Sequence, residues 1–185
     1  RTHGIGRFVQ ISTDEVYGDC DGIEPRNESS ILSPSNPYAA SKAAAELLCM
    51  AYRRTHGLNV QIIRSCNNYG PGQYPEKLIP LTIRNALSNQ ALPIYGNGLQ
   101  QRDWLHVKDN VQAIHLALVN GEPNSIYNIG VGLPKTTIEI VETICKILGK
   151  ETGLDEQKLF RRIAYVPDRP GHDRRYVMTF TNISK

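Results

Sequence analysis

Two carboxylates stand side by side in STDEVYG, at Asp14 and Glu15, and a tyrosine and a lysine stand four positions apart in YAASK, at Tyr38 and Lys42. Adjacent acids disfavour each other's charge, so their pKa values separate and one can keep its proton near neutrality while the other ionises. A pair divided in that way can run acid and base chemistry at one site. Taken alone, the two acids also fit a solvated turn at a strand end. A four-residue spacing on a helix puts Tyr38 and Lys42 on one face. Free tyrosine has a pKa of about 10. A nearby ammonium favours the phenolate, which can then take a hydroxyl proton from a substrate. Lys42 is also suited to hold a ribose hydroxyl of a cofactor. Taken alone, this spacing also fits a helix start with a solvated lysine.

These residues need strands and helices to bring them together. Residues 7–12 read as a buried parallel strand that ends at Ser12-Thr13, just before the acids, with hydroxyls able to reach toward Tyr38. Residues 18–37 are polar and rich in Asp, Asn, Ser and Pro, hence a loop. Pro37 sets the first turn of an Ala-rich helix over 38–56, and Gly57 stops it. A second strand is predicted at 60–63, then a turn-rich loop over 64–77, a helix over 78–89 and a short strand at 92–95 closed by Gly96-Asn97-Gly98. Strand 102–107, a helix from 107 to 118 or 119, strand 126–129, a Thr-capped helix ending at Gly149 and strand 162–166 follow, with the loop PDRPGHDRR last. Strands alternating with helices predict an α/β chain with a largely parallel sheet, whose ligands sit at the carboxyl ends of its strands.

Composition narrows the function classes. The 185 residues suit one domain or slightly more, and 40% hydrophobic residues suffice for a core. A net charge of +3 with dispersed basic residues argues against a nucleic-acid footprint but leaves room for a small anionic ligand. The four cysteines form no CxxC, and there is no HExxH, so neither a disulfide framework nor a metal site is indicated. A reducing compartment, the cytoplasm, fits best. No apolar run approaches the roughly 18 residues that span a membrane. The chain starts without Met and enters a strand almost at once, so it is expected to be a piece of a longer protein.

Six ordered motifs resemble the extended short-chain dehydrogenase/reductase family: STDEVYG at 12–18, YAASK at 38–42, NNYGP at 67–71, RDWLHVKD at 102–109, YNIG at 127–130 and DRPGHDRRY at 168–176. Within it the chain looks like the nucleoside-diphosphate-glucose 4,6-dehydratases, because sugar-nucleotide epimerases and decarboxylases lack the Asp-Glu pair. The resemblance implies a Rossmann-type NAD-binding sheet, here without its N-terminal strands, and a smaller C-terminal α/β substrate domain. The expected boundaries are 1–70 for the catalytic part of the NAD domain and 71–185 mainly for the nucleotide-sugar domain, with 102–130 returning to the Rossmann sheet. The implied chemistry oxidises C4 of the sugar with NAD, removes water across C5 and C6, and returns the hydride to C6. Tyr38, helped by Lys42, is the implied C4 base, Thr13 steers the 4-hydroxyl, Glu15 is the C5 base and Asp14 the acid for the 6-hydroxyl.

The same resemblance gives Ser12, Tyr38, Lys42 and Asn68 to the cofactor. It gives Asn67, Lys77, Leu78, Pro93, Ile94, Tyr95, Arg102, Asn128, Arg169, His172 and Tyr176, with Thr13, to the nucleotide sugar. It also implies a homodimer through the helix from Tyr38 to His56, and a place in deoxysugar formation that includes rhamnose. Whether dTDP or UDP is carried stays open. So do the other readings: an epimerase or decarboxylase of the same family, or an inactive binding or regulatory relative. A dinucleotide fold needs a Gly-rich turn after its first strand and an acid roughly 20 residues later. HGIG at 3–6 does not supply that turn. The chain alone is therefore expected to bind NAD poorly, to turn over little, and to aggregate through an exposed sheet edge.

Overall fold

The computed structural model describes residues 4–20, 22 and 24–183; His3 of the HGIG stretch lies outside them. Its central sheet has three parallel strands in the order β1 (Phe8–Thr13), β2 (Val60–Ser65), β7 (Ile126–Ile129). All six residues of β2 are buried, as befits a strand covered on both faces. β1 is an edge strand here, and Phe8 and Ile11 are exposed along it.

α1 (Pro37–His56) covers this sheet. Asn36 caps it through Ala39 N, Pro37 occupies its first turn, and Gly57 ends it in a left-handed conformation. Ala39, Ala43 and Glu46 form its buried stripe, so two methyl groups let the helix approach the sheet closely. Glu46 projects from that stripe onto Arg64 of β2, and neither side chain is more than 1% exposed.

β3 (Asn67–Tyr69) leaves the end of β2 and pairs with β6 (Trp104–His106) rather than with the central sheet. α2 (Leu78–Leu87), β4 (Leu92–Tyr95), α4 (Thr137–Thr152), α5 (Glu156–Phe160) and β9 (Ile163–Val166) enclose a second apolar cluster built on Ala86, Leu92, Ile94, Val141, Cys145 and Leu159. The first cluster lies under the sheet, around Val16, Tyr17, Ile63, Leu105, Tyr127 and Ile129. α3 (Val107–Asn120) packs on β2 and β7.

Several boundaries differ from the sequence expectation, for identifiable reasons. The strand predicted at 102–107 breaks at Asp103 into β5 (Gln101–Arg102), which pairs with β8 (Lys135–Thr136), and β6. The buried Asp103 carboxylate turns inward and accepts the N–H groups of Val131, Gly132 and Leu133 at 2.6, 2.8 and 3.3 Å. Within 102–130, only β7 joins the central sheet. α4 runs past Gly149 and ends instead at Gly153, whose N–H returns to Gly149 O. α2 stops at Leu87, two residues early, because Asn89 adopts a left-handed φ of 60°.

Candidate active site

Thr13, at the end of β1, initiates a single 3-10 turn over Asp14–Tyr17: its Oγ1 accepts Glu15 N at 3.3 Å and donates to Asp14 Oδ1 at 3.2 Å. The turn sends the two acids to different surroundings. Asp14 is buried, whereas Glu15 lines a cavity of about 750 Å³ and receives the side-chain amide of Asn36 on Oε2 at 3.1 Å. Burial, then the charge of Glu15, pushes the Asp14 carboxyl up from 3.8 to about 7, with Arg102 opposing. Adjacency was expected to divide the pair, but unequal burial does most of it.

The sign of this shift makes a prediction. The folded chain holds the Asp14 proton more tightly than the unfolded chain, so the stability this contributes is complete below pH 3.8 and is lost as pH rises through 7. Asp14→Asn removes that dependence. Between pH 5 and pH 8 the melting temperature of the wild type should fall by about 5 °C or more relative to the variant; parallel melting curves would contradict the buried acid.

Tyr38 faces the same cavity from the first turn of α1. Its pKa is raised, not lowered as the Lys42 argument predicts: burial acts first and Glu15 second, and a hydrogen bond with Thr13 pulls the other way. Lys42 does not shift it, because its Nζ donates to the Ile11 carbonyl at 2.6 Å. That bond ties the ammonium to β1.

The cavity gathers eleven of the expected residues: Glu15, Tyr38, Asn67, Lys77, Leu78, Pro93, Tyr95, Arg102, Arg169, His172 and Tyr176. Thr13 and Asp14 lie buried behind Glu15. Two substrate residues are elsewhere. Ile94 is fully buried in the second cluster, because strand alternation sends it inward between Pro93 and Tyr95. Asn128 is fully buried as well: its Oδ1 accepts Tyr17 OH at 2.7 Å, and its Nδ2 donates to Arg26 O and Thr179 O. With its polar atoms so used, Asn128 ties the turn at Asp14–Tyr17 to β7.

The arginines are held by stacking. Arg102 lies 4.1 Å from the ring centre of Tyr176 and donates to Asp173 O at 2.8 Å, rather than pairing with Asp103. Tyr176 OH donates in turn to Asp173 Oδ2 at 2.5 Å. Guanidinium groups fixed in this way suit phosphate oxygens.

Two of the residues that the resemblance gives to NAD leave buried polar atoms unused. Ser12 Oγ and Asn68 Oδ1 are buried without a hydrogen-bond partner among the described residues, at the carboxyl ends of parallel strands. Buried polar atoms are almost always paired, so both have hydrogen-bonding capacity that suits a polar ligand such as NAD.

Sequence reasoning missed Asn36, Leu81 and Trp104, which also line the cavity. Two of them had a signal: Trp104 is two residues from Arg102 in an extended segment, and Leu81 is one helical turn beyond Leu78.

Comparison with known proteins agrees with this geometry. The family described as NAD dependent epimerase/dehydratase matches residues 1–130. A dTDP-glucose 4,6-dehydratase of Streptomyces niveus is 49% identical over 182 residues, 98% of this chain and 51% of that protein. A double mutant of DesIV, a dTDP-glucose 4,6-dehydratase of Streptomyces venezuelae solved with NAD bound, superimposes with a TM-score of 0.91 at 44% identity, over 99% of this chain and 54% of that one. A UDP-glucose 4-epimerase of Thermotoga maritima, solved with UDP-glucose, follows at TM-score 0.85 and 27% identity, over 97% and 56%. The chain spans about half the length of the curated relatives it matches.

Proposed function

The chain belongs to the NAD dependent epimerase/dehydratase family, and we propose that it carries the acid–base residues of a nucleoside-diphosphate-glucose 4,6-dehydratase acting on dTDP-glucose or UDP-glucose. One observation carries this reading: Asp14 is buried and keeps its proton up to about pH 7, directly beside a cavity-lining Glu15 and opposite Tyr38. Oxidation at C4 alone has no use for a second acid and base.

Bound NAD supplies the acceptor for hydride from C4 and its donor back to C6. Tyr38, whose phenolate the positive nicotinamide of bound NAD would favour against the burial that raises its pKa, takes the proton of the 4-hydroxyl, which Thr13 orients. The resulting ketone acidifies the C5 proton, and Glu15 accepts it. Asp14 gives its proton to the 6-hydroxyl, which leaves as water. Glu15 then returns a proton to C5, and the product is the 4-keto-6-deoxy sugar. Ser12, Asn68, Tyr38 and Lys42 would hold the cofactor, while Arg102 and Arg169 take the diphosphate. On this reading the first apolar cluster marks the NAD side and the second the nucleotide-sugar side, near the expected boundary at residue 70.

The test takes both glucose nucleotides, which differ by a thymine methyl and a ribose hydroxyl. A protein spanning the full length of the relatives is incubated with each, and the products are weighed by mass spectrometry. Loss of one water is the expected result. Conversion only to the 4-epimer would replace the dehydratase reading with epimerisation.

The same reading places the protein in the cytoplasm, in deoxysugar formation such as that of rhamnose. It also joins two copies through α1, whose Leu47, Leu48 and Tyr52 are more than half exposed. A monomer in light scattering of the full-length protein would remove the dimer.

A further inference from the structure

Arg169 is braced from behind. Its Nη2 lies 3.0 Å from His172 Nε2, and its guanidinium stacks 5.2 Å from the Tyr95 ring centre. A guanidinium only donates, so Nε2 is the acceptor. A neutral imidazole with a bare Nε2 carries its proton on Nδ1, which faces Asp168 Oδ1 at 2.7 Å. Burial lowers the His172 pKa first; the hydrogen bond to Asp168 opposes this, and Arg169 and Arg102 add to it, so the ring is neutral.

Asp168 is fixed in its turn. Its Oδ1 accepts the N–H of Arg169 at 2.8 Å and its Oδ2 accepts Gln100 Nε2 at 2.9 Å. A Cβ at Gly96 would stand 2.7 Å from Oδ2, so the turn after β4 leaves room for this carboxylate only as glycine. Burial works against its charge, but the bonds from His172, Arg169 N and Gln100 hold it below the ordinary carboxylate range.

We propose that Asp168, acting through His172, is a positioning residue that aims Arg169 at the diphosphate of the bound nucleotide sugar; this rests on the site reading above. Arg169 and His172 line the cavity, whereas Asp168 does not. The neutral ring is the useful part of the relay. It transmits orientation while keeping the carboxylate one imidazole away from the phosphates. A direct Asp–Arg pair would cancel the guanidinium charge and repel the ligand. An arginine ordered before binding also avoids the loss of side-chain freedom that weakens association.

The test uses the full-length protein and calorimetric titration with UDP and dTDP, which need no turnover. Arg169→Ala should weaken binding by about tenfold or more, and Asp168→Ala by about five- to twentyfold. Because Asp168 acts through Arg169, the double variant should bind no worse than Arg169→Ala. Asp168→Asn keeps an acceptor for Nδ1–H and should stay within about twofold of wild type. In turnover, Asp168→Ala should raise KM with kcat unchanged. If Asp168→Ala melts low, His172→Phe, which fills the space without either nitrogen, should give the same loss. Losses that multiply in the double variant would overturn the relay, as would an Asp168→Ala protein that binds like wild type while Arg169→Ala does not. If the wild type bound neither nucleotide, the site reading itself would fall, and the relay with it.

Discussion

In the full-length protein, Glu15→Gln should stop exchange of the sugar C5 proton with solvent deuterium, while Asp14→Asn should leave that exchange running and slow water loss by roughly 10²–10⁴-fold. The two variants separate because the two acids have different surroundings. Glu15 borders the cavity, held by Asn36, and can reach a C–H proton only as the anion. Asp14 lies behind it, where burial keeps its proton up to about pH 7. Asparagine matches its shape but has no proton to give. Both variants keep Tyr38 and Thr13, so on the dehydratase reading nicotinamide absorbance should rise in a single turnover, with the 4-keto sugar trapped. Wild-type water loss should also fall about tenfold per unit as pH climbs past 7, since only the protonated Asp14 can serve the leaving hydroxyl. An Asp14→Asn protein that forms 4-keto-6-deoxy sugar at the wild-type rate would remove Asp14 from the acid role. C5 exchange that persists in Glu15→Gln would remove the base.

The periodic parts of this chain were legible in its sequence, and the parts set by long-range polar contacts were not. β2, α1 and α4 announce themselves by an apolar run, an Ala stripe with Pro and Gly at its ends, and a Thr cap. Eleven expected residues converge on one cavity from the turn after β1, from α1, β3, α2, β4 and β5, and from the closing loop. Asn128 and Ile94 lie buried outside the cavity lining, which no motif displays: a motif gives a residue's place along a strand but not the face it turns to. The break at Asp103 depends on backbone N–H groups nearly thirty residues away, which no local pattern displays. The expected activation of Tyr38 by Lys42 had the right spacing, but a nearer acceptor, the Ile11 carbonyl, takes the ammonium.

Glu46→Ala should cost this fold about 3–5 kcal/mol, read as a lower midpoint in denaturant unfolding. Glu46 meets Arg64 through three contacts: Arg64 Nε lies 3.1 Å from each carboxylate oxygen, and Nη2 lies 2.6 Å from Oε2. Water reaches neither side chain. Burial opposes the Arg64 charge, but the contacts with Glu46 and Tyr17 hold the guanidinium protonated. Without Glu46 that charge remains, buried and unpaired, because Tyr17 OH and Glu28 O offer only neutral acceptors. Removing both charges is a different matter: Glu46→Leu with Arg64→Met replaces the pair by apolar volume and should recover most of the loss. A Glu46→Ala midpoint within about 1 kcal/mol of wild type would show that water or a neighbour compensates the arginine. On the dehydratase reading the pair also bears on the proposed acid. Arg64 Nη1 donates to Tyr17 OH at 2.7 Å, and Tyr17 closes the turn that begins at Asp14. The buried ion pair, Tyr17 and Asn128 thus tie α1, β2 and β7 to the one turn that carries both acids. A loosened turn lets water onto Asp14, and an Asp14 reached by water ionises below pH 7. Glu46→Ala should therefore move the upper limb of the water-loss pH profile to lower pH, a change that loss of stability alone does not produce.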